Sequence, residues 1–530
     1  MTRAGDRLVP LFYAAAALVV YAPALSAFFV ADDYYFLDLI MPAPDVRVVF
    51  TPLIGRFARP LVVLLYYACY HVAGLTPWVF HSLVLLVHVL NAWLVFLIGR
   101  RLLPGDSRAG AMLAGLLFVV FSSHSEAVAW VAGAADPIAA LGLLSGFLAF
   151  LRARDPGSSP AWIAVSVCAA AAAALAKESW IVFPAIVIAY ALCFPAGDPG
   201  ARRRTMTIAA ATLVLAALYL VRRVLVFGSV TGGYAGLGTT LGSGRWPREV
   251  AKFVFRCFLP AGQWVLRFWP LAAVCVTVVV VLVVMRARGA TWRPLAFTAA
   301  AVAIALAPVL PLSISIVNTE SERFTYTASA FSSLLVICAA GVVFQGRVLM
   351  TLASGALIAW HGAVLSQNAR RLNAAGLMVR RVVAGFVEQA RAHDPDGRSV
   401  IAILNLPDNL GGTYVFRSGF DTAVRLAAPD AIDLVARTTC VATHGIRDES
   451  DSVAVQPEAA GVFALDVAPN ALIQRQLQDG PSHRILSMSP TGYRAEFRDP
   501  VRRSVVLAYS AGRMVYAGSV EPAREGSSPR

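Results

Sequence analysis

Long apolar runs alternate with short basic loops from the N-terminus to about residue 366. Their lengths approach the ~20 residues that a helix needs to cross a bilayer. We therefore predict an all-α polytopic membrane part with about eleven transmembrane helices. The predicted spans are residues 8–30, 78–98, 109–123, 126–151, 160–176, 179–196, 205–227, 269–286, 294–315, 328–344 and 347–366.

Two further apolar stretches, residues 60–75 and 249–266, are broken by aromatic or basic side chains. Amphipathic aromatic residues prefer the boundary between lipid and water. The pattern therefore predicts helices that lie at the membrane surface.

From Gln367 the pattern becomes that of a soluble domain. Residues 367–392 carry apolar side chains on one helical face, which predicts an amphipathic helix. Short runs typical of strands follow at residues 400–404, 452–455, 461–465 and 503–509. We expect a transmembrane domain over residues 1–366, with an outer loop at residues 31–77, and a small C-terminal α/β soluble domain over residues 367–530.

Composition favours a membrane protein and argues against binding of nucleic acid. Hydrophobic residues make up 58% of the chain and charged residues only 14%, whereas soluble domains carry about 25% charged residues. The formal net charge of +14 comes largely from arginines in short loops, which is how membrane proteins encode orientation. The Ala/Val/Arg-rich composition favours a bacterial protein of the inner membrane. The basic loops predict a cytoplasmic N-terminus and an extracytoplasmic, periplasmic C-terminal domain.

In this orientation, most of the unusual polar residues fall on the outer side of the membrane. A charge inside a bilayer costs about 2.5–3.5 kcal/mol, so such residues are rarely without a function. Acids and cations from several outer loops predict one charged crevice at the membrane surface. Its candidate residues are Asp32, Asp33, Arg59, His81, His124, Glu126, Asp136, Lys177, Glu178, Arg223, Glu322, Arg323 and Tyr326.

The acidic candidates have simpler interpretations beside the catalytic one. Asp32 and Asp33 follow the first apolar run directly, and they are either solvated end-caps or the acid/base centre of an enzyme at the bilayer surface. Lys177 and Glu178 are either functional or an interfacial ion pair. Asp136 lies inside its predicted span, so it needs a buried partner or a polar cavity.

The histidines also allow two interpretations. His81, His88 and Asn91 share one helical face, which favours an internal hydrogen-bond stripe over a metal site. His124 and Glu126 are either a hydrogen-bonded loop pair or two metal ligands. The motifs themselves require no metal, so the cofactor is unknown and a divalent cation is the open alternative.

Several motifs, in this order, resemble the transmembrane and tetratricopeptide-repeat O-mannosyltransferases and their bacterial relatives. The motifs are Ala31-Asp32-Asp33-Tyr34, Arg59-Pro60-Leu61, Phe80-His81 with His88 and Asn91, His124-Ser125-Glu126-Ala127-Val128-Ala129-Trp130, Ala176-Lys177-Glu178-Ser179 and Glu322-Arg323-Phe324-Thr325-Tyr326. The resemblance covers about residues 5–366 and implies a membrane enzyme of the glycosyltransferase C superfamily. Such an enzyme takes a sugar from a polyprenyl-phosphate carrier on the outer face and transfers it to a hydroxyl of a protein or glycan.

The resemblance also implies roles for the acid pair, because the first outer loop carries such a pair in that superfamily. Asp32 is expected to be the general base, and Asp33 to orient it or to bind a metal or a sugar hydroxyl. Cations should bind the departing lipid phosphate. The candidate phosphate contacts, at the outer ends of different spans, are Lys177 and Arg323, with Arg59 and Arg223 in reserve.

Two other functions stay open at this point. A transporter or flippase of lipid-linked sugars would also use a charged outer crevice, and so would a membrane scaffold without catalytic activity. Departures from the family pattern keep the scaffold open. Ser122-Ser123 stands where the family has His-Pro, and Ala134 or Ala135 stands where it has an Arg. The tetratricopeptide repeats are missing, and residues 367–530 replace them.

Overall fold

The computed structural model describes residues 4–51, 57–104, 107–230, 233, 244–344, 346–459, 461–467, 471, 479–499 and 501–522. Its contacts divide the chain into two compact units. The first comprises residues 1–25 and 43–369, and the second comprises residues 26–42 and 370–530. The segment that carries the acid pair therefore belongs to the same unit as the C-terminal domain.

Helices dominate the first unit, and of the helices named next α2 and the part of α14 after residue 369 belong to the second unit. In chain order the helices are α1 (Val9–Leu25), α2 (Asp32–Ile40), α3 (Pro60–Ala73), α4 (Pro77–Leu102), α5 (Arg108–Val119), α6 (Ala135–Ala153), α7 (Ala161–Ala174), α8 (Phe183–Cys193), α9 (Pro199–Phe227), α10 (Trp246–Arg256), α11 (Trp264–Arg286), α12 (Trp292–Leu306), α13 (Tyr326–Val343) and α14 (Arg347–His393). Each of the predicted spans overlaps one of these helices.

The apolar helices make this a multi-pass membrane protein. Within the described residues, 7 helices are long and apolar enough to cross a membrane, and the number is up to 8 if a bent pair forms one span. That pair joins Arg108–Val119 to Ser122–Ala129 with a bend of 46°. Shorter apolar helices include α7 and α12. The count of about eleven spans, and the surface position of α3 and α10, stay predictions.

The second unit is built around two sheets. Its strands are β1 (Val400–Leu410), β2 (Thr413–Tyr414), β3 (Thr438–Ile446), β4 (Ala454–Ala459), β5 (Val462–Asp466), β6 (His483–Met488), β7 (Gly492–Phe497), β8 (Ser504–Ser510) and β9 (Arg513–Val520). One sheet has β1 between parallel β3 and β8, with β9 beyond β8 and the short β2 against the end of β1. The other sheet is antiparallel, in the order β4-β5-β7-β6.

Two short helices, α15 (Phe420–Ala427) and α16 (Ile432–Ala436), connect β2 to β3. Central β1 is buried at nearly every position, as a strand covered on both faces should be. The predicted combination of an all-α membrane part with a C-terminal α/β domain is confirmed.

A buried histidine on β3 predicts acid sensitivity of the second unit. His444 Nδ1 lies 3.2 Å from the carbonyl oxygen of Leu406 and 3.4 Å from Nδ2 of Asn405. Burial lowers the pKa of His444 from 6.5 to about 4. The unfolded chain therefore binds this proton more readily than the folded chain. The stabilisation is complete above about pH 6.5 and is lost as the pH falls towards 4, for a total of about 3 kcal/mol.

We expect His444→Gln to flatten this pH dependence, because glutamine keeps a polar amide but does not titrate. Thermal unfolding of the full chain in nanodiscs, followed through the β-sheet band of the infrared spectrum at several pH values, measures the effect. An unchanged slope between pH 6.5 and 4 in the variant would contradict the assignment to His444.

Candidate active site

The acid pair occupies the first turn of α2, and its two carboxylates have different surroundings. Asp33 is only 1% exposed, and its carboxylate accepts the backbone N–H of Val30 at 2.9 Å. Asp32 is exposed, and its carboxylate accepts the hydroxyl of Ser418 at 2.7 Å. Asp33 thus helps to hold the turn, whereas the Asp32 carboxylate lies where a substrate can reach it.

The backbone before the acid pair is strained and is held by the loop that follows β2. Ala31 has φ +45°, a conformation that costs a residue with a side chain about 1–3 kcal/mol. Its N–H donates to the carbonyl oxygen of Val415 at 3.0 Å. Gly419 has φ +79°, and a Cβ there would lie 2.6 Å from Cβ of Tyr34. Glycine is required at this contact, and the loop therefore fixes the position of the acid pair.

An ion pair anchors the same loop to the end of β1. Arg417 Nη2 lies 3.0 Å from the buried carboxylate of Asp408, and its guanidinium lies 4.2 Å from the ring centre of Tyr414. Planar stacking and a paired carboxylate together limit the motion of an arginine. Ser418, the next residue, is held near Asp32 as a result.

The first unit contains a separate cluster of buried ion pairs. Lys177, just after α7, places Nζ 2.7 and 2.6 Å from the two carboxylate oxygens of Asp136 in the first turn of α6. Both side chains are at most 5% exposed. A buried charge is tolerated when it is paired in this way, so Lys177 supplies the partner that Asp136 needs.

Glu178 gathers two more cations beside Lys177. Its carboxylate oxygens lie 3.6 Å from Nη2 of Arg59 and 3.9 Å from Nη1 of Arg223. Arg223 is 4% exposed, and its Nε donates to the carbonyl oxygen of Val230 at 2.8 Å. One carboxylate is therefore shared by two guanidinium groups.

The remaining pairs connect the turn Glu322–Thr325, just before α13, to the bent segment 122–129 and to α10. Glu126 pairs with Arg323, whose guanidinium also lies 5.3 Å from the ring centre of Trp130. Glu322 pairs with Arg256 and also accepts the hydroxyl of Ser125. The backbone N–H of Glu126 donates to Glu322 at 3.2 Å, which links the two pairs.

Arg256 is a member of this cluster that the sequence analysis missed. The sequence predicts a helix at the membrane surface here, and within the fold the Arg256 side chain is 1% exposed. The buried residues of α10 are Glu249, Phe253 and Arg256, at helical spacing. The sequence does contain one signal for the burial of Arg256, which is that it shares a helical face with the apolar Phe253.

Four carboxylates and five cations form this cluster in the described part of the chain. The members are Glu126, Asp136, Glu178, Glu322, Arg59, Lys177, Arg223, Arg256 and Arg323. Lys177 interacts electrostatically with Arg59, Glu178 and Arg323 in addition to Asp136, so the ion pairs of the cluster are coupled to each other. With every group ionised, the cluster carries one excess positive charge.

A cavity of 180 Å³ lies beside part of this cluster. Lys177, Glu178 and Arg223 line it together with Phe324. Its apolar wall contains Ile181, Leu220, Pro308, Val309 and Leu312. This combination suits a ligand with an anionic head and an apolar tail.

The histidine candidates belong to a buried hydrogen-bond stripe. His88 Nδ1 lies 2.7 Å from the hydroxyl of Tyr326, and Asn91 Nδ2 donates to the same hydroxyl at 3.1 Å. His124 Nε2 lies 2.7 Å from Oγ of Ser329. His81 is also buried on α4.

This arrangement bears on the metal alternative for His124 and Glu126. His124 contacts Ser329, whereas Glu126 pairs with Arg323. Among the residues that the structure describes, no group of three or more His, Cys, Asp or Glu side chains could hold a metal ion. The geometry places both residues in hydrogen-bond and ion-pair networks.

Comparison with known proteins supports the resemblance predicted from the motifs. Over 183 residues the chain is 35% identical to protein O-mannosyl-transferase Tmtc1 of Drosophila melanogaster, which covers 32% of this chain and 21% of the fly protein. Over 134 residues it is 32% identical to human protein O-mannosyl-transferase TMTC3, which covers 25% of this chain and 14% of the human protein. The match thus spans a small part of these relatives. No family model matches the chain.

Among solved structures, the chain is similar to ArnT from Cupriavidus metallidurans bound to undecaprenyl phosphate. That match has a TM-score of 0.43 and 13% identity, and it covers 78% of this chain and 84% of ArnT. The Archaeoglobus fulgidus oligosaccharyltransferase matches with a TM-score of 0.43 and 14% identity, over 81% of this chain and 62% of that enzyme.

Proposed function

We propose that this protein is an inverting glycosyltransferase of the C type. It transfers a sugar, with mannose as the first to test, from a polyprenyl-phosphate carrier to a hydroxyl of a protein or glycan on the outer face of the membrane. The observation that carries the proposal is the cavity lined by two cations, Lys177 and Arg223, and by one carboxylate, Glu178, with an apolar wall. Sequence similarity to O-mannosyl-transferases supports the reaction class.

The charge cluster fits the donor and the leaving group. A polyprenyl-phosphate sugar is a phosphodiester with one negative charge, which the single excess cation of the cluster would neutralise. When the bond from the sugar to the phosphate oxygen breaks, the leaving phosphate gains negative charge. Lys177, Arg223 and Arg59 supply cationic hydrogen bonds for it, which strengthen in a site that excludes water.

The acid pair supplies the attacking side of the reaction. Asp32 accepts the proton of the acceptor hydroxyl as the oxygen attacks the anomeric carbon, and the bond to phosphate breaks on the opposite face. A general base of this kind contributes about 10²–10⁴ in rate. Asp33 holds the turn through Val30, and direct displacement inverts the anomeric configuration.

Incubation of the purified chain with several polyprenyl-phosphate sugars and a hydroxyl acceptor tests the proposal. We expect release of polyprenyl phosphate that depends on the acceptor, together with glycosylated product. Movement of the intact donor across vesicles without release would show a flippase instead. Neither release nor movement, in a folded protein that binds the donor, would show a scaffold.

Arg223 provides a test of donor binding. We expect Arg223→Gln to raise the donor KM at least tenfold, about 1.4 kcal/mol, because the phosphate loses a charged partner. Arg223→Lys should recover only part of the affinity, since lysine lacks the planar fork of arginine. Steady-state kinetics with varied donor measures both effects.

The adjacent Arg222 is exposed, so Arg222→Gln is a matched control for the loss of one positive charge. It should leave the donor KM near that of the unaltered protein. Equal donor KM values in Arg223→Gln and Arg222→Gln would contradict the assignment of Arg223 to the donor site.

Orientation in the membrane follows from the basic loops. We propose an inner-membrane location with the N-terminus in the cytoplasm and the C-terminal domain in the periplasm. Alkaline phosphatase fused at Arg203 should be inactive, and the same fusion at the C-terminus, which lies outside the described residues, should be active. Phosphatase activity at Arg203 would overturn this topology.

A further inference from the structure

A second, larger cavity of 590 Å³ lies between α11, α12, α13 and α14 within the first unit. Its walls are almost entirely apolar and include Val280, Val284, Ala339 and Leu357. We call this cavity the apolar groove. It shares none of its lining residues with the cavity beside Lys177.

Helix α11 leaves most of its surface uncovered beside the groove. Val265 is its one buried residue. In a bilayer, lipid chains fill such a space, and unspecific filling by bulk lipid is the simplest interpretation. The charges at one end of the groove distinguish a specific site from that interpretation.

Four exposed arginines stand at the same end of the groove-lining helices. They are Arg286, Arg288, Arg293 and Arg347. Arg286 closes α11, Arg293 lies in the first turn of α12, and Arg347 begins α14. A guanidinium nitrogen of Arg286 donates to the carbonyl oxygen of Val343, which lines the groove. Trp292, at the same mouth, is of the residue type that prefers the headgroup level.

These arginines differ from those at other basic helix ends. Asp6 lies 3.7 Å from Arg100 and 3.0 Å from Arg108. Arg101 pairs with Asp155 at 2.8 Å. Those ends are thus neutralised by the protein itself.

The groove end has no such internal partner within the described ranges, where none of its four arginines forms an ion pair with a carboxylate. The sequence itself contains no Asp or Glu between residues 250 and 319 or between residues 323 and 387. The positive charge at this mouth is therefore available to an external anion.

We infer that the apolar groove is a binding site for an anionic diacyl phospholipid. The phosphate lies among the arginines at the mouth, and the acyl chains lie in the groove. Basic pockets between transmembrane helices bind anionic headgroups in this way, and each nearby Lys or Arg strengthens the attraction. The site is separate from the proposed donor site, and the inference does not depend on the proposed reaction.

Native mass spectrometry of the full chain from mixed micelles of phosphatidylglycerol and phosphatidylcholine tests the site. We expect the unaltered protein to retain phosphatidylglycerol in preference to phosphatidylcholine. The double variant Arg293→Gln/Arg347→Gln should bind phosphatidylglycerol at least tenfold more weakly. Equal retention of the two lipids by the unaltered protein would overturn the inference.

A matched double variant separates the site from general effects of charge. Arg202→Gln/Arg203→Gln removes the same charge from two exposed residues near the start of α9, and it should leave lipid retention unchanged. An equal loss of phosphatidylglycerol retention in this control would show that the lipid is attracted unspecifically by positive charge, and it would contradict a specific site at the groove.

Filling the groove tests the position of the acyl chains. Ala339→Trp, or Ala296→Phe if the first variant does not fold, should displace phosphatidylglycerol while all four arginines remain. Retention by a folded variant with a filled groove would place the lipid elsewhere and overturn the assignment to the groove.

Discussion

Asp32→Asn should lower sugar transfer at least a hundredfold, about 3 kcal/mol in activation free energy, with little change in donor affinity or folding. Asparagine keeps the shape of the side chain and its acceptor oxygen towards Ser418 but cannot take a proton. The Asp32 side chain is exposed and does not support the turn. The loss should therefore fall on turnover and not on stability.

Asp38→Asn is the matched control for Asp32→Asn. Asp38 is on the same helix, is exposed and pairs with Arg425 at 2.7 Å. Exposed ion pairs contribute about 0–1 kcal/mol, so this variant should transfer sugar nearly as well as the unaltered protein. If Asp32 is only a solvated cap, Asp32→Asn will behave like Asp38→Asn, and the catalytic role must be abandoned.

Arg256→Met should destabilise the first unit by about 3–5 kcal/mol, because it leaves the buried Glu322 carboxylate without its cation. Both side chains are at most 1% exposed. The double variant Arg256→Met/Glu322→Gln should recover most of the loss, since neither residue then carries a buried charge. Thermal unfolding of the full chain in nanodiscs compares the three proteins.

Arg248→Met, at an exposed position on the same helix, controls for the change from arginine to methionine. It should change stability by less than about 1 kcal/mol. If the Arg256→Met and Arg248→Met proteins are equally stable, the ion pair of Arg256 with Glu322 contributes nothing to stability. A double variant that is no more stable than Arg256→Met would lead to the same conclusion.

The amino-acid sequence determined the helices and the class of each part of the chain. The length of an apolar run and the composition after Gln367 are local properties, and burial in lipid or in a sheet depends directly on them. The need of Asp136 for a buried partner was also visible, because an isolated charge inside a membrane is costly.

Tertiary structure alone decided which charged side chains form ion pairs with each other. Lys177 reaches Asp136 across 41 positions of sequence, and Arg323 reaches Glu126 across 197. Neither pairing has a local signal, since each depends on the rotation and depth at which distant helices pack. For the same reason the sequence alone does not identify Arg256 as the partner of Glu322. Only the fold placed residues 26–42 in one unit with residues 370–530. Ala31 contacts Val415, which is distant in the sequence, and no local pattern in either segment predicts this contact.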